Sequence, residues 1–288
     1  MNICRIAVIV LSAAAWSVAC GSNNEPTGPS PIPAPSSTIN YTAIGASDAL
    51  GIGASVSCVP WEECPNGRGY VQVAARDLRS RGFVVNLNNL GFPGAVISRR
   101  LQRLGFGPEI VGNFMDQEIP FINPNVTLIT IFAGGNDVNA ITSALGGGAG
   151  GADRTAYINS QIALFGQDFT ILQQAIRDRV PEARIILLNL PNMGAMPFLA
   201  RASRDHRLAA QMLSVGMTKT VFNPLVSSGV QVIDLMCDAR AYQTSTYSGD
   251  GFHPSDTGYA WIAAEVVAAT TTAYRLPTAS CSQMTMVQ

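Results

Sequence analysis

Residues 126–137 read Val-Thr-Leu-Ile-Thr-Ile-Phe-Ala-Gly-Gly-Asn-Asp, a short apolar run that leads into a glycine-rich polar turn. A short run of this kind, mostly apolar and without strict alternation, is typical of a strand that is buried on both faces. The turn that follows would place polar side chains at the carboxyl end of that strand.

Similar short apolar runs recur along the chain and alternate with amphipathic stretches long enough for helices. This alternation indicates a parallel sheet covered on both faces, and we predict a three-layer α/β domain with a five-stranded parallel sheet. The predicted strands are residues 41–44, 83–87, 126–132, 184–190 and 230–235. The predicted helices are residues 70–81, 95–104, 157–179, 198–221 and 255 to about 274.

The N-terminus reads as an export signal. Arg5 supplies a positive charge, and the apolar run over residues 6–19 is too short to span a bilayer. Ser17-Val-Ala-Cys20 resembles the bacterial lipobox, in which the cysteine is acylated, although Ser17 stands where that motif usually has Leu. We therefore expect an exported protein with a lipid anchor at Cys20, or ordinary signal cleavage near Ala19 as the alternative.

Residues 21–38 are rich in Ser, Asn, Pro and Gly, which cannot bury enough surface to fold, and we expect them to form a tether. The remaining residues, 39–288, suit one core and one domain. The net charge of −1 does not favour nucleic acid or an anionic membrane surface as a partner. We expect a cell-envelope lipoprotein of the outer membrane or periplasm, or a secreted protein.

The cysteines beyond the N-terminal segment favour an oxidising compartment. Four cysteines allow three pairings, and a short loop between Cys58 and Cys64 makes a local bridge the first choice. Cys237 would then pair with Cys281. A zinc site is the alternative, but a paired CxxC motif and nearby histidines are missing, and we predict neither a metal nor a cofactor.

Polar and glycine-rich clusters follow several predicted strands. Because ligands lie beyond the carboxyl ends of the strands in open parallel sheets, we expect these clusters to meet at one edge. They are Gly45-Ala-Ser47-Asp48 after the first strand, residues 88–94 after the second, Gly134-Gly-Asn136-Asp137 after the third, and Asp250-Gly-Phe-His253 after the fifth.

The chain has only two histidines, His206 and His253. Imidazole is the usual proton shuttle near neutral pH, and only His253 has a carboxylate, Asp250, three residues upstream. Ser47 would then be a nucleophile, with His253 as its general base and Asp250 holding the tautomer. Taken singly, Ser47 is more often a helix N-cap, and the Asp–His pair fits a surface loop equally well. His206 lies on a polar helix face, and we interpret it as solvated.

An oxyanion formed at such a serine needs hydrogen-bond donors. The candidates are the N–H groups of Ser47 and Gly94 and the side-chain amide of Asn136, because glycine lets the backbone approach closely and an amide donates without charge. A tight turn would also explain Gly94 and Asn136. We expect Asp137 to brace the Asn136 turn.

Ser47, Gly94, Asn136 and His253, in this order after successive strands, resemble the SGNH/GDSL hydrolase family over nearly all of residues 40–275. The Gly-x-Asn-Asp and Asp-x-x-His blocks are together specific. The resemblance implies a flavodoxin-like sheet and a serine esterase that acts on small-molecule or lipid esters.

The first block departs from that family, because Ala46 stands where the family usually has a supporting aspartate. A non-catalytic module that binds glycan or lipid is therefore the alternative, and an acyl transferase would share every catalytic residue. Residues 146–151 match GxGxxG but do not directly follow a strand, so we interpret them as a flexible loop. A GxSxG elbow is disfavoured, because the final glycine is missing and Asp250 lies too near the histidine.

An apolar wall beside the strand ends is expected from Phe92, Pro93, Met193 and Phe198. Such a wall favours acyl or aryl esters over heavily hydroxylated sugars.

Overall fold

The computed structural model describes residues 31–104, 111–272 and 275–288. The expected signal segment, Cys20 and most of the expected tether lie outside the described residues. The strands are β1 (Thr38–Gly45), β2 (Val84–Asn89), β3 (Ala95–Val96), β4 (Gly112–Asn113), β5 (Leu128–Phe132), β6 (Arg184–Leu188) and β7 (Gln231–Ile233). The helices are α1 (Ser47–Leu50), α2 (Tyr70–Ser80), α3 (Arg99–Gln102), α4 (Phe114–Gln117), α5 (Gly135–Gly146), α6 (Arg154–Arg179), α7 (Arg204–Met217) and α8 (Asp256–Thr271).

The main sheet has five strands in the order β2-β1-β5-β6-β7, and every neighbouring pair is parallel. The predicted three-layer α/β architecture with a five-stranded parallel sheet is thus confirmed. The strand order reverses between β1 and β5, which are neighbours, and this reversal leaves a crevice at their carboxyl ends. Gly45 at the end of β1 lies opposite Phe132 at the end of β5, so the turns after both strands begin side by side.

Helices cover the sheet on both faces. α2 packs against α8 in one layer, and α7 packs against α5 and α6 in the other. All residues of β5 and β6 are buried, as a strand covered on both faces requires. No helix within the described ranges is long and apolar enough to cross a membrane.

Two predicted helices were wrong in part. Over residues 95–104, the chain first forms β3, paired with β4, and only then α3, whose N-cap is Ser98. The apolar start of that stretch is buried, and the N–H of Ile97 donates to Asp137 instead of to a helical carbonyl. Over residues 198–221, a short 3₁₀ turn precedes α7, because Ser203 caps a new helix by accepting from the N–H of His206.

α5 is a helix that the apolar pattern did not predict, because glycines stand at both of its ends and read as turns. Residues 147–152, after α5, form turns. Cys58 is bonded to Cys64 and Cys237 to Cys281, as expected.

Candidate active site

Ser47 is the first residue of α1 and follows β1 directly. Its side chain lies among packed residues, with the residue only 7% exposed. The first amides of a helix have no helical acceptor, so the N–H of Ser47 is left for another partner. Because Ser47 comes directly after β1, its hydroxyl and its N–H both lie at the carboxyl end of the sheet.

His253 joins Ser47 to Asp250 through a chain of hydrogen bonds. Its Nε2 lies 2.8 Å from Ser47 Oγ, and its Nδ1 lies 2.6 Å from Asp250 Oδ2. The structure thus brings Ser47, which follows β1, together with Asp250 and His253, which share one loop about two hundred residues later in the chain. The chain of contacts runs from carboxylate to imidazole to hydroxyl.

Asp250 is held as an anion. Partial burial would raise its pKa, but the hydrogen bonds that it accepts outweigh this effect and lower the pKa to about 2. Besides His253, the donors are the hydroxyl of Ser248 and two backbone N–H groups, of Phe252 and His253. An ionised carboxylate can only accept, so Nδ1 of His253 carries the proton and Nε2 accepts from the Ser47 hydroxyl.

The loop that carries His253 is held by backbone bonds on both sides. The N–H of Ser248 donates to the carbonyl of His253 at 2.8 Å, and the N–H of Ser255 donates to Thr246 at 2.8 Å. The segment after α1 packs on this loop: a Cβ added at Gly53 would lie 2.7 Å from the Cβ of His253. The loops of Ser47 and His253 are therefore mutually positioned.

Gly94 and Asn136 lie in neighbouring loops that are bonded to one another. Gly94 has a φ of 72°, a left-handed conformation that favours glycine. The side-chain amide of Asn136 donates one hydrogen to the carbonyl of Ala95 at 2.9 Å, which leaves its second N–H free to point elsewhere. The two loops that would supply oxyanion donors thus form a single bonded unit.

Asp137 does more than brace the turn of its own loop. It is buried, and its Oδ1 accepts from the N–H of Ile97 at 3.0 Å, so it ties the start of α5 to the loop that follows Gly94. Burial raises the pKa of Asp137 to about 7, although its hydrogen bonds act in the opposite direction.

The expected apolar wall is divided between two places. Met193 is buried and lines a cavity beside the site, while Phe198 packs edge-on against Phe252 with ring centres 5.0 Å apart. Phe92 lies on the other side, with its ring centre 5.8 Å from that of Trp61. Pro93 follows Phe92 in the same loop.

Glu118 is a buried carboxyl that the sequence pattern did not single out. Its Oε2 accepts from the N–H of Gly45 at 2.8 Å, two residues before Ser47, and its Oε1 has no partner among the described residues. Burial raises the pKa of Glu118 well above its usual range, which favours the neutral acid, although the hydrogen bond from the N–H of Gly45 acts in the opposite direction. Its hydrogen bond fixes the last residue of β1, Gly45. The turn that starts there contains Ala46, at the position where the SGNH/GDSL pattern usually has an aspartate. Its position in a short acidic run, Asp116-Gln-Glu118, looks like ordinary surface sequence.

Replacing Glu118 tests this support. Glu118→Gln keeps a neutral acceptor for the N–H of Gly45, and we expect near-normal stability. Glu118→Ala leaves that N–H unpaired in a buried site, which costs about 1–3 kcal/mol, and a cavity adds to the loss. Thermal unfolding of both variants checks this result, and equal losses in the two would contradict a neutral Glu118.

No group of three His, Cys, Asp or Glu side chains in the part of the chain that the structure describes is arranged to hold a metal ion.

The fold is similar to that of several solved lipases. A lipase from a goat rumen metagenome matches with a TM-score of 0.54 and 21% identity, over 81% of this chain and 98% of that one. The extracellular lipase of Streptomyces rimosus matches with a TM-score of 0.54 and 18% identity, over 81% of this chain and 100% of that one. Phospholipase A1 of Streptomyces albidoflavus matches with a TM-score of 0.50 and 14% identity, over 81% and 99%. At these identities the likeness shows the fold alone.

In sequence, the chain has no match among curated proteins. Residues 43–261 match the model of the GDSL-like lipase/acylhydrolase family, and this range includes Ser47, Gly94, Asn136, Asp250 and His253. The match covers well over half of the chain, which therefore belongs to the GDSL-like lipase/acylhydrolase family.

Proposed function

We propose that this protein is a serine esterase that hydrolyses carboxylic esters through an acyl-enzyme on Ser47. The observation that carries the proposal is the bonded chain of Asp250, His253 and Ser47, with contacts of 2.6 and 2.8 Å. An ionised Asp250 fixes the tautomer that a general base needs, with the lone pair of Nε2 facing the hydroxyl. Because the hydrogen bonds from Asp250 through His253 to Ser47 are all present, a non-catalytic binding module is disfavoured.

In the first half-reaction, Ser47 Oγ attacks the ester carbonyl carbon while its proton passes to Nε2 of His253. The carbonyl oxygen becomes an oxyanion, for which the N–H groups of Ser47 and Gly94 and the amide of Asn136 are the donors. Each such donor contributes about 10²–10³ in rate. The tetrahedral intermediate then breaks its bond to the alcohol oxygen, which takes the proton from His253.

In the second half-reaction, water replaces the alcohol. His253 takes a proton from the water as its oxygen attacks the acyl carbon, and the same donors hold the second oxyanion. Collapse breaks the bond to Ser47 Oγ, which recovers its proton from His253, and the free carboxylic acid leaves. Another acceptor alcohol in place of water would make the protein an acyl transferase with the same residues.

A cavity of about 50 Å³ beside Ser47 would take the acyl part. One water molecule needs about 10–15 Å³, so the cavity has room for about four groups of the size of a water or a methyl group. An acyl chain from acetyl to butyryl would fit such a space. Its walls are mainly apolar. They include the residues on either side of Ser47, the residues on either side of His253, and Asn136, one of the proposed oxyanion donors. These are Ala46, Asp48, Asn136, Phe252 and Pro254.

Hydrolysis of 4-nitrophenyl esters of increasing chain length tests the function and the cavity together. We expect kcat/KM to be highest from acetate to butyrate and to fall by about tenfold or more by the decanoate, because overfilling a packed cavity costs about 1–3 kcal/mol. The leaving group is the same throughout, so only the acyl part changes. A rate that rises steadily towards long chains would contradict this assignment.

We also propose that the protein is exported, with residues 1–20 as the signal, residues 21–38 as a tether and residues 39–288 as the hydrolase domain. The two disulfides support this location, because they persist in oxidising compartments. Acylation of Cys20 would make the protein a lipoprotein of the cell envelope. Mass spectrometry of the mature N-terminus distinguishes an acylated cysteine from a free one.

A further inference from the structure

Asp48 places a carboxyl group in the wall of the cavity beside Ser47. The cavity has a volume of about 50 Å³, and most of its other wall residues are apolar, among them Phe114, Phe132 and Leu190. Asp48 follows Ser47 directly, at the position where the family motif Gly-Asp-Ser-Leu has its leucine. The acyl part of an ester held on Ser47 would therefore lie against a polar group where that motif has an apolar one.

The carboxyl of Asp48 is an acceptor that the fold leaves unused. Within the described ranges it is bonded only to its own backbone N–H. Tyr247 lies close to it but donates its hydroxyl to the carbonyl of Ala241 at 2.6 Å. Tyr259 is also close and donates to the carbonyl of Ile52 at 2.7 Å. A carboxyl without a partner is costly in a mainly apolar wall, and it remains available to a ligand.

A hydroxyl group suits this acceptor whatever its protonation state. Burial raises the pKa of Asp48, while a positive charge on His253 and the N–H of Asp48 itself act in the opposite direction. The ionised carboxylate accepts through both oxygens, and the neutral acid still accepts through its carbonyl oxygen. A hydroxyl on the acyl chain can therefore donate to Asp48 in both forms.

An ammonium group fits the cavity less well than a hydroxyl. His253 becomes an imidazolium when it takes the proton of Ser47, and it lies close enough for its charge to lower the pKa of Asp48. A cation on the acyl chain would be repelled by that imidazolium at the step that must be stabilised. It would also lose its water shell, at a larger cost than a hydroxyl pays. A neutral donor meets neither penalty.

From this arrangement we infer that the protein prefers esters of short hydroxy acids, whose hydroxyl group donates to the carboxyl of Asp48. This inference rests on the proposed function and names its substrate class. The cavity has room for about four groups of the size of a methyl. A 3-hydroxybutyryl group matches this space, because three carbons and one hydroxyl oxygen lie beyond its carbonyl oxygen and the ester bond. Asp48 is thus a specificity-determining residue that contacts the acyl chain.

A pair of esters that differ in one group tests this inference. The 4-nitrophenyl esters of 3-hydroxybutyrate and 3-methylbutyrate share a leaving group and are nearly equal in size, because a methyl in the second replaces the hydroxyl of the first. The hydroxy ester is assayed as its separate enantiomers. We expect the wild type to hydrolyse the better enantiomer with a kcat/KM about tenfold or more above that of the methyl ester, as one hydrogen bond predicts.

Asp48→Leu makes the same exchange in the protein, since leucine has the branching of aspartate with methyls in place of oxygens. We expect it to reverse the preference, so that the methyl ester is the better substrate by about tenfold, because a hydroxyl would then be buried without a partner. Asp48→Asn keeps an acceptor oxygen and should retain most of the preference. The ratio of the two esters within each variant cancels any common effect on His253.

Thr246→Val is the matched control, because it removes a different polar group from the same cavity. The hydroxyl of Thr246 already donates to the carbonyl of Arg240 at 2.6 Å, so its hydrogen is committed within the fold. We expect the ratio of the two esters in Thr246→Val to equal that of the wild type. A loss of the preference in Thr246→Val but not in Asp48→Leu would overturn the assignment to Asp48.

A wild type that hydrolyses the methyl ester as well as or better than both enantiomers of the hydroxy ester would overturn the inference and leave the esterase proposal standing. The same ratio in Asp48→Leu as in the wild type would do so too. If Asp48→Leu does not fold, Asp48→Ala removes the same acceptor, and a tenfold preference that persists there would overturn the inference. A wild type that hydrolyses neither these esters nor 4-nitrophenyl acetate would overturn the esterase proposal and this inference together.

Discussion

Ser47→Ala is expected to lower kcat for 4-nitrophenyl acetate by about 10⁴–10⁶-fold, because the residue that forms the covalent bond is gone. The substitution removes one oxygen from the side chain and leaves the helix start and its N–H in place. Since the Ser47 hydroxyl bonds only to His253 among the side chains described, we expect little change in the unfolding temperature. Steady-state kinetics and a thermal melt on the same preparation measure both quantities.

The matched control for this variant is Ser55→Ala, in the loop that follows the same helix. Ser55 donates to Asp256 at 2.6 Å and does not contact His253, so its loss should affect stability slightly and kcat by a few-fold at most. Comparable activity in Ser47→Ala and the wild type would show that another group performs the attack.

Asp250→Asn is expected to lower kcat by about 10³–10⁴-fold without removing any atom that contacts substrate. The carboxylate now accepts from Nδ1 of His253 at 2.6 Å, whereas an amide nitrogen in that position would donate and force the proton onto Nε2. The imidazole would then present a hydrogen to the Ser47 hydroxyl and could not take its proton. The loss should appear in kcat much more than in KM.

Asp256→Asn is the control for Asp250→Asn. Asp256 also accepts two hydrogen bonds at the start of α8, but both come from Ser55 and neither involves the imidazole. We expect it to weaken packing between the loops and to leave most of the activity. If Asp250→Asn kept activity near that of Asp256→Asn, the carboxylate would not be setting the tautomer of His253.

Much of the fold could be predicted from the sequence because a parallel sheet buried on both faces produces short, mainly apolar runs. Residues 126–132 illustrate this, since all of β5 is buried. The same topology explains why polar clusters distant in sequence could be expected at one edge. Ser47 and His253 are separated by more than two hundred residues but follow parallel strands, and they lie within hydrogen-bond distance.

Other features could not be predicted because they depend on contacts between segments. α5 begins and ends in glycines, so local pattern favoured turns, and tertiary packing against α7 supports the helix instead. The role of Glu118 depends on a bond to the N–H of Gly45, which no spacing along the chain reveals. The departure at Ala46 looked like a weakened site in sequence, but a buried carboxyl from another loop supports the same turn.

Labelling with a fluorophosphonate probe, followed by peptide mass spectrometry, tests the central claim most directly. Such a probe reacts with a serine whose hydroxyl is activated by a neighbouring base and which lies beside oxyanion donors. We predict one phosphonyl group per chain, located on the peptide that contains Ser47, with no label in Ser47→Ala and much slower labelling in Asp250→Asn. A folded, disulfide-bonded protein that stays unlabelled, or that is labelled on a different serine, would contradict the assignment of Ser47 as the nucleophile.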